Sequence, residues 1–185
     1  MAASGTKKQK HNGKGGGKFL PALCGFLGTL ILITVILSAL PLTIPRLMGY
    51  EIFSVVSGSM EPTLPVDSLV YVEPVAAAEI LPGEIVAFWQ DGTVVIHRAM
   101  ENRKDESCLI TRGDANDMDD IEPVSYLNVI GRVKYHLPGL GFLMLYYVST
   151  EGKIRLFCFA FAGALLNGIG SSLQRKRKRK EREQP

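Results

Sequence analysis

The stretch E-I-V-A-F-W-Q-D-G-T-V-V-I-H-R-A-M, Glu84–Met100, decides how the chain is read. Two runs rich in β-branched and aromatic residues flank Asp91-Gly92, a pair suited to a tight turn because both residues tolerate positive φ. The spacing predicts an antiparallel hairpin, entered through Leu81-Pro82-Gly83. Along T-V-V-I-H-R, period-two alternation puts Val94, Ile96 and Arg98 on one face and Val95, His97 and Ala99 on the other. Further short strands are predicted at Ser68–Val72, Cys108–Thr111 and Val129–Tyr135. The run holding Phe53, Val55 and Val56 reads as a buried strand that turns at Ser57-Gly58-Ser59, with Pro62 stiffening the exit. Residues 53 to 136 show no long amphipathic helix and no internal repeat. The fold expected is mainly β: a small antiparallel β domain, a distorted barrel, set between two transmembrane helices.

Working outward, Phe19–Leu40 carries no charge. About 20 apolar residues cross a hydrocarbon core of roughly 30 Å. A cleaved leader is the competing reading, but no small-x-small site closes the run, and cleavage after Ala39 would place Leu37 at −3. A retained anchor is expected, ended by Pro41 and Pro45. Ile154–Leu173 is a second spanning candidate, interrupted by Arg155 and Asn167. Leu137–Val148 is apolar but short, and its tyrosines suit a membrane interface. Basic residues cluster outside both spans, at Lys7, Lys8, Lys10, Lys14 and Lys18 and from Arg175 to Lys180. Tail charge of this kind could meet nucleic acid; beside apolar runs it reads as membrane-flanking charge.

The expected order is therefore a flexible basic cytoplasmic tail (1–18), a transmembrane helix (19–40), an extracytoplasmic β domain (41–136), an interfacial segment (137–153), a second transmembrane helix (154–173) and a basic cytoplasmic tail (174–185). The expected location is the cell membrane, multi-pass, with both termini cytoplasmic. His11 falls in the first tail and is given no chemical role. Of the three cysteines, Cys24 and Cys158 lie in apolar runs and Cys108 alone lies in the polar middle, so that middle forms no internal disulfide.

Three places carry possible chemistry. Ser59 leaves a strand through a glycine-bearing turn, a placement that lifts its hydroxyl off the sheet and suits a nucleophile; a polar turn is the plain alternative. His97 is the one histidine in a patterned strand. The loop T-R-G-D-A-N-D-M-D-D, Thr111–Asp120, is crowded with carboxylates. Its aspartates at 114, 117, 119 and 120 lack the spacing of a calcium loop, leaving an Asx-rich turn or a carboxylate that orients a histidine.

S-G-S-M-E-P, then V-I-H-R, then R-G-D-A-N-D-M-D-D together resemble the type I signal peptidase family, in its Ser-His-Asp branch. That branch is found in the endoplasmic reticulum, in archaea and in some Gram-positive bacteria; the commoner bacterial branch has lysine where this chain has His97. The likeness covers roughly residues 40 to 140. It implies Ser59 as nucleophile, His97 as general base and Asp120 as the orienting carboxylate, with Asp114 as the alternative. It implies an oxyanion hole from Ser57 and the N–H of Ser59, and structural roles for Met60 and Pro62. No metal and no organic cofactor is implied. The implied partners are preprotein signal peptides, the lipid bilayer and the secretion machinery; nucleic acid is not among them. Arg112 stands where the pattern often has lysine. The second span is more like the bacterial members than the endoplasmic reticulum enzyme, which makes the endoplasmic reticulum membrane the alternative location. Between Arg46 and His136 the lysines are Lys104 and Lys134, and neither takes the position of His97. The rival functions are a non-catalytic membrane-tethered β module that binds exported chains and a membrane-bound serine hydrolase with another substrate.

Overall fold

The computed structural model describes residues 19–182; the expectations for the first tail, including His11, lie outside the described residues. The described chain falls into two units, residues 19–36 with 156–182, and Leu37–Arg155.

In the first unit, α1 (Phe19–Leu47) and α3 (Thr150–Arg182) supply the helices. Within it they approach closely at Gly28, where a Cβ would stand 2.6 Å from the Gly163 carbonyl oxygen. Asn167, the polar break in the second apolar run, donates from Nδ2 to Thr29 Oγ1 at 3.2 Å, so its amide is satisfied inside the helix pair. Among the described residues two helices, Phe19–Leu47 and Thr150–Lys176, are long and apolar enough to cross a membrane.

The second unit is built on seven strands: β1 (Glu51–Ser54), β2 (Leu69–Glu73), β3 (Ile85–Gln90), β4 (Thr93–Arg103), β5 (Cys108–Arg112), β6 (Val124–Ser125) and β7 (Val129–Leu137). They pair antiparallel in the order β1-β2-β7-β3-β4-β5-β6. The antiparallel sheet is as expected, but it is open, with β1 and β6 as its two ends, where a distorted barrel was expected. The label "mainly β" is also too strong, because helices of 29, 8 and 33 residues hold more of the chain than the strands do.

Glu84–Met100 forms the expected hairpin. β3 and β4 pair in register from Ile85↔Arg98 to Gln90↔Thr93, and Asp91 and Gly92 take φ of 49° and 76°. β4 runs past Met100 to Arg103 because an irregularity between Ala99 and Glu101 lets it continue against β5. The alternation settles which core each residue meets. Val95 and Ala99 pack with Val86, Phe88 and Leu109; Ile96 packs with Val55, Met60, Leu64 and Val70.

Other boundaries also differ from expectation. α1 continues through Pro41 and Pro45 to Leu47, since Leu42 is buried with Ile52, Leu69, Tyr71 and Leu143 and that packing holds the last turns in place. β1 stops at Ser54: Val55 still exchanges main-chain bonds with Ser68 and Asp67 at 2.9 Å, but the chain then lifts away and leaves Val56 75% exposed. Thr150-Glu151-Gly152-Lys153, expected to close the interfacial segment, is the first turn of α3, capped by Ser149, whose Oγ accepts the Gly152 N–H at 3.0 Å. Between β7 and α3 lies α2 (Gly141–Val148), which buries Leu143 and leaves Phe142, Leu145 and Val148 exposed.

Candidate active site

The turn after β1 is pinned from below. Met60 and Leu64 are buried to 1% and 0% exposure, and the Leu64 N–H donates to the Met60 carbonyl at 2.9 Å. Burying the residue after Ser59 leaves the serine at the surface of the core with its hydroxyl outward. Among the described residues the Ser59 N–H donates to no protein acceptor, while its carbonyl accepts the Ala115 N–H at 2.9 Å.

His97 sits in β4 opposite Val86, with the edge of its ring against Phe88 at a centroid distance of 6.3 Å. The imidazole lies between the serine and a carboxylate: Nε2 is 3.2 Å from Ser59 Oγ, and Nδ1 is 2.6 Å from Asp120 Oδ2. The histidine and aspartate side chains are 12% and 20% exposed. An imidazole protonated on Nδ1 donates to Asp120 and leaves Nε2 to accept the Ser59 hydroxyl proton. That is the geometry of an activated nucleophile with an oriented base.

The carboxylates of the Thr111–Asp120 loop diverge. Asp114 does not reach His97. It is gripped by Arg98, whose Nε and Nη2 donate to its two oxygens at 2.7 and 2.5 Å, while Arg98 Nη1 donates to the Gly83 carbonyl at 2.6 Å. The Arg98 hydrogen bonds, against the opposing cost of burial, hold the Asp114 carboxyl below the usual carboxylate range, with a further hydrogen bond from Thr63. Asp119 pairs with Arg112 at 3.7 Å. Asp120 alone faces the imidazole, and its Oδ2 also accepts the Thr111 hydroxyl at 2.6 Å.

Ser57 Oγ lies 3.3 Å from Ser59 Oγ, so the two expected oxyanion-hole contributors share one rim of the site. A cleft of about 520 Å³ opens beside them, lined by Val55, Ser57 and Met60 on one side and by Gln90, Val94 and Ile96 on the other. Neither lysine is here: Lys104 begins a 3₁₀ turn after β4, and Lys134 on β7 pairs with Glu73 at 3.5 Å.

Thr111, Arg98 and Gly113 also belong to the site, though sequence alone assigns them no role there. A threonine in a strand reads only as a good β former, and an arginine beside a histidine reads as surface charge. Gly113 carried a signal within the G-D pattern. Its α-carbon passes so near Ser59 and His97 that a Cβ would meet Ser59 O at 2.6 Å and His97 Nε2 at 3.1 Å.

The Peptidase S24-like family profile matches residues 46–134, the segment that holds this site. Signal peptidase I W of Bacillus subtilis (strain 168) is 39% identical over 89 residues, 46% of this chain and 47% of that protein. The signal peptidase complex catalytic subunit SEC11 of Clavispora lusitaniae is 30% identical over 129 residues, 62% of this chain and 76% of that protein. The SEC11 subunit of Scheffersomyces stipitis is 31% identical over 122 residues, 57% of this chain and 73% of that protein. The chain thus spans about half the length of the Bacillus relative and about three quarters of the other two. On the strength of that coverage and identity, the chain belongs to the type I signal peptidase family.

Proposed function

We propose that this chain is a membrane-anchored serine endopeptidase that removes N-terminal signal peptides from secreted preproteins, cutting after small residues. The observation that carries the reading is the Ser59–His97–Asp120 relay, 3.2 Å and 2.6 Å across its two links. Ser59 attacks the scissile carbonyl while His97 takes its proton. Asp120 holds the imidazole and faces the positive charge that forms on it. The tetrahedral oxyanion meets the Ser59 N–H and the Ser57 hydroxyl. His97 then returns the proton to the leaving amine, and water, activated by His97, releases the acyl group from Ser59.

The substrate is an extended segment bound by strand addition. Two unpaired backbone edges flank the cleft in support of this. Past Val55 the chain has left the sheet at residues 56–57, and β4 pairs with β5 only from Arg98 onward, leaving the second edge of 93–96 open.

Both long helices anchor the enzyme, with the β unit outside the cytoplasm and both basic termini inside, as the positive-inside rule prefers. The exposed face of α2 (Phe142, Leu145, Val148) lies at the interface. Anchoring confines enzyme and signal peptide to one thin layer and raises their effective concentration. The Clavispora and Scheffersomyces relatives are named as subunits of a signal peptidase complex, which supports secretion-machinery proteins as partners here. The test is incubation of the purified chain with one preprotein, followed by sequencing of the product's new N-terminus. Cleavage directly after a small residue at the end of the signal peptide is expected. An uncut preprotein would favour a binding module, and a cut elsewhere would favour another hydrolase.

A further inference from the structure

We propose that Thr111 is a positioning residue for the reaction, clamping Asp120 at two points so that its carboxylate stays on His97. The inference rests on the serine-peptidase reading above.

Asp120 belongs to no strand or helix; it lies in the loop between β5 and β6. Thr111 belongs to β5 itself, paired with Ala99 of β4, and is fully buried. The Thr111 carbonyl accepts the Asp120 N–H at 2.8 Å, and the Thr111 hydroxyl donates to Asp120 Oδ2 at 2.6 Å. A loop residue is thus tied to a strand through its main chain and its side chain together.

The oxygen that takes the Thr111 hydroxyl is the one that faces His97 Nδ1 at 2.6 Å. Two donors converging on one oxygen fix the rotation of the carboxylate. With only the imidazole as partner, the carboxylate, which is 20% exposed, could turn toward water and leave the ring without an orienter. Base and carboxylate are also referenced to the same two strands, because His97 lies two residues before Ala99, the residue opposite Thr111. Thr111 touches no reacting atom and acts only through Asp120. The plainer alternative is a buried hydroxyl taking the nearest acceptor; it predicts lost stability and nothing specific to turnover.

The test uses the full chain in detergent with one preprotein as substrate. Thr111→Val keeps the side chain's volume and removes the donor; Thr111→Ser keeps the donor. Thr111→Val is expected to lower kcat about tenfold or more with KM nearly unchanged, and Thr111→Ser to stay within about threefold of wild type. In an Asp120→Ala background, where residual turnover persists, Thr111→Val should cost almost nothing, because no carboxylate remains to be positioned. If Thr111→Val does not fold, Thr111→Ala, which leaves the main-chain link, carries the same expectations. A wild-type kcat in the donor-free variant, or an equal loss in both backgrounds, overturns the inference. A wild-type chain that cuts nothing sinks the peptidase reading and this inference with it; an active wild type indifferent to Thr111→Val sinks this inference alone.

Discussion

Gly113→Ala inserts a single methyl group against Ser59 and His97, the proposed nucleophile and base. Gly113 has no positive φ, so alanine suits its backbone and the cost is purely steric. The new Cβ would stand 2.6 Å from Ser59 O, 2.9 Å from Asn116 Nδ2 and 3.1 Å from His97 Nε2. The Asn116 amide is the end of a side chain and can swing aside. The Ser59 carbonyl is main chain, and it is held by the Ala115 N–H on the same loop at 2.9 Å. Opening the closest contact from 2.6 to 3.0 Å requires loop and serine to part by at least 0.4 Å, at a site where Ser59 Oγ and Nε2 are 3.2 Å apart. Overpacking of this kind costs about 1–3 kcal/mol of stability. A misplacement approaching 1 Å costs about 100-fold in rate, so kcat/KM should fall roughly 10- to 100-fold in a protein that still folds. Steady-state cleavage of one preprotein, beside a thermal melt, reads both quantities. Wild-type kcat/KM with an unchanged melt would refute the close approach of this loop to the site.

The other predictions follow from the same contacts. Ser59→Ala should abolish cleavage, by up to about a millionfold in turnover, while expression and membrane insertion are kept; near-normal processing would remove Ser59 from the mechanism. Asp120→Asn should damage turnover severely, whereas Asp114→Asn should act through stability, costing about 2 kcal/mol for a charge-assisted bond lost beside Arg98. The pH dependence of that loss has a definite sign. Arg98 depresses the Asp114 pKa in the folded state, so its stabilisation is complete above the unfolded value near 3.9 and fades as pH falls through the lower folded value. Melts of wild type and Asp114→Asn should therefore differ at pH 7 and converge in strong acid; an equal gap at both would contradict the ion pair. Tags at either terminus should be digested from the cytoplasmic side, and digestion of the C-terminal tag from outside would refute the two-anchor topology.

The local features of the fold were legible because local rules govern them. Asp91-Gly92 specified its own turn, and alternation along β4 placed Val95 and Ile96 in different cores. Long-range pairing was not legible. Nothing in Val129–Leu137 says that it inserts between β2 and β3, the placement that joins the β1–β2 pair to the other strands. Pro41 and Pro45 gave a correct propensity and a wrong boundary, because the burial of Leu42 outweighs them. Val56 is β-branched yet 75% exposed, since the chain leaves the sheet to form the site. Asp114 and Asp120 differ in no property that composition can register. Arg98 separates them, and its grip on Asp114 is visible only in three dimensions.

We propose that a histidine, not a lysine, activates Ser59. The most direct measurement compares turnover of one preprotein by His97→Ala with turnover by Lys104→Ala/Lys134→Ala. The 2.6 Å and 3.2 Å links at His97, and the pairing of Lys134 with Glu73 away from the cleft, predict which variant fails. The histidine variant should lose about a thousandfold or more, and the double lysine variant should stay within about twofold of wild type. A chain that keeps cutting without His97 but stops without those lysines would contradict the account and make this a Ser-Lys enzyme.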